Sequence, residues 1–294
     1  MEKVEFKGKS YYVEDAELSL IKNDISSFKQ IKGLQKLENL ERLDLSFNYI
    51  EKIEDLNNLV NLKYLNLSSN KITAIEHLDD LINLEVLHIE NNQINQIEGI
   101  QDLENLIKLY LGNNRLSEIK GINSLKNLKI LHLNGNNIKK IENINEDLYR
   151  LEGLNLSGNE ISKIEGLEEL LKIMLINLSG NKITEIKGCD ELITLNMLNL
   201  SNNMISEIKN IDNLENLINL DLSKNQIKSV KGLETLTNLK ILNLSKNRLS
   251  DIKELEALPS LLQVNLNGNN IPKEQLEHLK KKIEFNNKNW KTRR

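Results

Sequence analysis

A single cysteine (Cys189), two prolines and an aromatic share of 4% are the scarcities of this 294-residue sequence. One thiol makes neither an intrachain disulfide nor a cysteine-rich zinc site. No window approaches the roughly 18 consecutive apolar residues of a membrane helix. The opening MEKVEFKGKSYYVED has no apolar core of the kind a secretion signal carries. The expectation is a cytoplasmic protein without membrane insertion. A net excess of either charge is also small. The net charge is −4, but residues 280–294 carry seven Lys/Arg against one Glu, which leaves a body of −10 and a tail of +6. An acidic body lacks the continuous basic stripe of a nucleic-acid groove, so no nucleic-acid partner is expected. The basic tail reads as a solvated terminus.

What the chain has in abundance is one repeated unit. An Asn follows an aliphatic-x-aliphatic pair at Asn48, Asn70, Asn92, Asn114, Asn136, Asn159, Asn181, Asn203, Asn225, Asn247 and Asn269, with a period of 22 residues and one interval of 23. Asn23 opens the series, which makes twelve turns. In NKITAIEHLDDLINLEVLHIEN the apolar residues fall mostly three apart, a spacing suited to 3₁₀ turns or coil, and then two apart. That last step is strand alternation, which sends Leu87 and Ile89 inward and Val86, His88 and Glu90 outward. A unit this small buries its apolar face only against its neighbours. The recurrent Asn suits a turn because its amide tolerates a left-handed backbone and both donates and accepts, so stacked copies form a buried ladder. Seven residues beyond each ladder Asn stand Gly99, Gly121, Gly166, Gly188 and Gly232, with Asp55, Asn143 and Asn210 at equivalent places. These residues permit positive φ, and turn geometry explains them without any phosphate loop. Between Ile144 and Leu148 the longer interval places its extra residue, expected to bulge on the return segment.

The pattern LxxLxxLxLxxNxIxxI, as in LINLEVLHIENNQINQI and LTNLKILNLSKNRLSDI, resembles the leucine-rich repeat. Its length is similar to the class of the leucine-rich regulatory subunit of protein phosphatase 1 and of the internalins. The resemblance implies a mostly-β α/β solenoid: a right-handed leucine-rich-repeat arc with about twelve short parallel strands on the concave face and 3₁₀ or extended convex segments. It covers residues 18–271. Residues 1–17 read as an N-terminal β-hairpin cap, with strands at 4–6 and 11–13 around KGKS. Residues 272–294 read as a helical cap opened by Pro272, with Leu276, Leu279 and Ile283 on one face and Trp290 packing on it. Family members generally bind other macromolecules on the concave side.

Twelve copies are their own comparison. The central outward strand position reads Ser19, Asp44, Asn66, His88, Tyr110, His132, Asn155, Asn177, Asn199, Asp221, Asn243, Asn265, so rings occur at three consecutive turns. Beside them stand Arg42, Tyr64, Val86, Lys108 and Ile130, with Glu90 next to His88 and Phe47 at a turn otherwise held by small, polar or Lys residues. Aromatic and Arg side chains are the usual anchors of interfaces. Arg42, Asp44, Phe47, Tyr64, Val86, His88, Glu90, Lys108, Tyr110, Ile130 and His132 are therefore the candidate partner-binding set, with a weaker patch at Leu175, Met197 and Ile241. Tyr110 stands between the two histidines, whose strands lie roughly 10 Å apart, so a metal site is not expected. Cys189 sits in a column of Ile and Leu, and no nucleophile has a base at fixed offset, so neither a cofactor nor catalysis is expected. The resulting expectation is a monomeric, non-enzymatic scaffold that binds a protein partner of unknown identity. A phosphatase-type regulatory subunit and an internalin-type surface adhesin are the alternatives.

Overall fold

A computed structural model describes the backbone of residues 2–292 and side chains through residue 288. The side chain of Trp290 and the last two residues of the basic tail lie outside the described residues. The chain divides into two compact units, Met1–Ile138 with Glu142–Leu151 and Lys139–Ile141 with Glu152–Arg294. The first holds an antiparallel hairpin, β1 (Lys3–Phe6) and β2 (Lys9–Tyr12), and six parallel strands: β3 (Glu17–Ser19), β4 (Arg42–Asp44), β5 (Tyr64–Asn66), β6 (Val86–His88), β7 (Lys108–Tyr110) and β8 (Ile130–His132). The second holds six more, β9 (Gly153–Asn155), β10 (Leu175–Asn177), β11 (Met197–Asn199), β12 (Asn219–Asp221), β13 (Ile241–Asn243) and β14 (Gln263–Asn265), and one helix, α1 (Lys273–Thr292). The fold is a mostly-β solenoid.

Each strand is three residues long with only its middle residue fully buried in nearly every copy, as in Arg42-Leu43-Asp44. The next inward residue, such as Leu45, is also sealed, and the chain then turns. The turning residue is the one before each ladder Asn, and not the Asn itself as expected. Phe47, Ser69, Asn91, Asn113, Gly135, Gly158, Gly180, Asn202, Lys224, Lys246 and Gly268 all have φ between 54° and 78°. The ladder Asn is needed for its amide alone. Asn114 Nδ2 lies 3.1 Å from the carbonyls of Ile89 and Leu111 and 3.3 Å from that of Gly112, while its Oδ1 accepts from Ile94 N–H at 3.0 Å. One side chain thus satisfies four backbone groups on two turns, which a buried, irregular backbone requires.

The return segments carry a second amide series that the sequence reading passed over. Asn61, Asn83, Asn105 and Asn127 in the first unit donate to carbonyls 23 residues earlier, and Asn213, Asn216 and Asn238 do so in the second. Short 3₁₀ turns occur at Phe28–Gln30, Leu34–Lys36, Glu146–Leu148 and Lys253–Ala257, and the other return segments are bends and extended chain. The extra residue of the long interval is taken up by Glu146–Leu148, which leaves Leu148 and Leu151 buried. The Gly column behaves as expected. A β-carbon at Gly121 would lie 2.2 Å from the Ile97 carbonyl oxygen, whereas at Asn143 the side chain bonds the matching carbonyl of Ile119 at 2.6 Å.

Both ends depart in detail from expectation. The hairpin turns on Lys7 and Gly8, at φ 47° and 75°, so its strands begin one to two residues earlier than expected. Its Tyr11 hydroxyl donates to Asn23 Oδ1 at 2.6 Å. In α1, Leu279 is buried, but Leu276 is exposed. The helix is held by Leu279 together with polar contacts: Gln275 Oε1 accepts from Ile252 N–H at 2.9 Å, and the Asn286 and Asn287 amides donate to the carbonyls of Leu261 and Leu262 at 2.8 and 3.1 Å.

Candidate interaction face

Within the first unit, register brings Arg42, Tyr64, Val86, Lys108 and Ile130 into one outward column and Asp44, Asn66, His88, Tyr110 and His132 into the next. Rings one turn apart then meet. The Arg42 guanidinium lies 4.0 Å from the Tyr64 ring centre, and its Nε is 3.3 Å from Glu17 Oε2. Tyr64 and His88 are 5.5 Å apart and tilted, His88 and Tyr110 are stacked parallel at 4.2 Å, and His132 meets Tyr110 edge-on at 4.9 Å. These are favourable ring geometries, each worth about 0.5–1.5 kcal/mol. The row is preorganised, running over five strands, with half-buried Val86 and Ile130 and exposed Lys108 alongside.

Glu90 fixes the orientation of the row, with Oε1 3.1 Å from His88 Nδ1. Its other oxygen is buried with no hydrogen-bond partner among the described residues. Burial pushes the Tyr110 phenol above its ordinary pKa, with the Glu90 charge adding to the shift, and pushes Tyr64 up in the same way with Asp44 adding. Burial lowers His132. These half-sealed groups keep their neutral forms.

The Asn and Asp side chains of the same column have a different task. Asp44 Oδ1 accepts from Ser46 N–H at 2.9 Å, and Asn66, Asn155, Asn177, Asn199, Asp221, Asn243 and Asn265 each accept from the N–H two residues on. They cap the strand end. Asp44 therefore stands in the candidate set as a turn-forming residue, with its second oxygen on Asn66. At His88, Tyr110 and His132 no such cap is made. Three consecutive turns give up a local hydrogen bond and carry interlocked rings instead.

Phe47 does not join the row. It stands at the left-handed turn, 60% exposed, beside the exposed Ile21 and Tyr49. Ile21 and Tyr49 escaped the sequence reading, although both break columns of smaller or polar residues. Cys189 is fully buried, as expected, and burial pushes its thiol up to about 12. No group of three or more metal-ligating side chains occurs among the described residues, and none of their helices is long and apolar enough to cross a membrane.

The structure defines a repeat solenoid whose strands leave one face open. A family model for paired leucine-rich repeats matches residues 60–103, 104–146, 126–172, 215–257 and 237–281, and a single-repeat model matches residues 39–59. The chain belongs to the leucine-rich-repeat family. It is similar to the internalin InlF of Listeria monocytogenes, with 32% identity and a TM-score of 0.82 over 90% of this chain and 77% of that one. Internalin C2 of the same organism shows 31% identity and a TM-score of 0.60, covering 64% of this chain and 83% of its own. The functional domain of InlJ, described as including a cysteine ladder, shows 25% identity and a TM-score of 0.72 over 86% of this chain and 53% of that one. Here asparagines form the ladder. No curated protein matched. These matches do not confirm the similarity to the phosphatase regulatory subunit.

Proposed function

We propose that the chain is a non-enzymatic scaffold, acting as a monomer, that binds a protein partner through the ring row of its first unit. That row would lie on the concave side of the arc implied by the sequence. The observation that carries this reading is the exchange at His88, Tyr110 and His132, where a cap used by eight other turns is replaced by rings held by one another and by Glu90. A rigid aromatic row presents contact area with little left to order on binding. Capture from an extract of the producing cell, comparing the wild type with the H88A/Y110A/H132A variant, tests it. Loss of one partner band with the variant is expected, and equal capture would move the site to Leu175, Met197 and Ile241.

A cytoplasmic partner belongs to this reading. The likeness to internalins favours a second one, an adhesin displayed outside the cell. Protection of the protein from protease added to intact cells supports the first placement, and cleavage supports the second.

A further inference from the structure

In the second unit, the turns after β12 and β13 carry Lys224 and Lys246 at the left-handed position, with φ of 54° and 55°. Four other turns of that unit place Gly158, Gly180, Asn202 and Gly268 there, the residue types that adopt this backbone without strain. The two lysines are direct neighbours, since Lys224 N–H donates to Ser245 O and Lys246 N–H to Asn267 O. Like charges so placed repel each other. Two residues on, Gln226, Arg248 and Asn270 form the next row, linked by Arg248 N–H to Ile227 O and Asn270 N–H to Leu249 O, and Lys228 stands beyond Gln226.

All four cations are exposed, and none is paired with a carboxylate among the described residues. In the column of Arg248 one cation of this unit is neutralised instead, where Lys182 Nζ meets Glu160 Oε2 at 2.9 Å. Lys246 is also steered. Its Cγ would lie 3.2 Å from a β-carbon on Gly268, so the glycine leaves room for its stem to cross the last turn. Two lysines thus stand here with left-handed backbone and mutual repulsion, and no carboxylate among the described residues offsets either.

We propose that Lys224, Lys246 and Arg248, aided by Lys228 and the amides of Gln226 and Asn270, bind a ligand bearing phosphate or sulfate groups. A tetrahedral oxyanion offers three or more acceptor oxygens to such a spread of donors, whereas a carboxylate offers two. The site is independent of the ring row.

The substitution K224N/K246N gives both positions a residue suited to the backbone, so loss of binding cannot be ascribed to misfolding. Thermal melts of both proteins are measured with tripolyphosphate, sucrose octasulfate or poly-glutamate, each against NaCl at matched ionic strength. The wild-type midpoint is expected to rise by several degrees with tripolyphosphate or the octasulfate. The variant should start at an equal or higher midpoint and lose most of that rise. A response to tripolyphosphate alone assigns phosphate as the source, and one to the octasulfate alone assigns sulfate. Equal responses of wild type and variant, no response to either anion, or an equal response to poly-glutamate would each overturn the proposal.

Discussion

Single side chains carry separable loads in this molecule. Asn114 serves four backbone groups, so Asn114→Leu removes their partners at once while matching the apolar surroundings. Stranding buried backbone groups costs about 1–3 kcal/mol each, and chemical denaturation should show a loss of at least that size. Phe47 presents the reverse case. A bulky side chain at φ 55° costs about 1–2 kcal/mol, so Phe47→Asn should raise stability by about 1 kcal/mol in the same measurement. Cys189, its thiol raised to about 12 chiefly by burial and then by Asp190 and Glu168, should resist alkylation in the native state and react on unfolding. Because the folded thiol holds its proton more tightly than the unfolded one, its contribution to stability is complete below about pH 8.5. It declines as pH rises toward 12.

At the scale of elements, the strands and their inward residues were legible because period-two alternation at fixed offsets from Asn admits one register. The return segments were legible as slim for the same reason of length. The contacts within the ring row were not. Adjacent columns put Tyr64, His88, Tyr110 and His132 near each other, but which ring stacks on which depends on side-chain torsions that spacing does not encode. Nor was the left-handed residue, since Phe47 and three lysines, Lys22, Lys224 and Lys246, occupy a position where composition would ask for Gly. His132 offers a direct probe of the row. Burial holds its imidazole below the ordinary value of 6.5, so NMR titration should give a midpoint below that of the unfolded chain. The neutral ring stabilises the fold above pH 6.5, and that contribution fades as pH falls through the folded value. His132→Asn, which restores the column's usual cap, should flatten this acid limb. Tyr110→Ala removes two ring contacts and should cost about 1–3 kcal/mol of stability, so partner binding must be compared at a temperature where both proteins are folded.

For the whole molecule, repetition makes length a variable separate from stability per turn. Deleting residues 204–225 removes one 22-residue period and brings Gln226 directly after Asn203, in the column place that Met204 holds, so every buried column is preserved. Deleting 21 residues shifts the inward set by one and turns apolar side chains to water. Circular dichroism melts should show a cooperative transition for the first variant and a collapsed or absent one for the second. The ends decide where repetition stops. Each interior amide reaches to the turn before it, so the opening turn lacks a predecessor and the closing turn lacks a successor. The Tyr11 hydroxyl answers Asn23 at one end, and Asn286 and Asn287 answer the carbonyls of Leu261 and Leu262 at the other. The chain therefore behaves as a polymer with chemically distinct initiator and terminator groups: turns can be added or removed between them, while each end keeps its own donor, a phenol to a side-chain amide oxygen at the start and two amides to main-chain carbonyls at the finish.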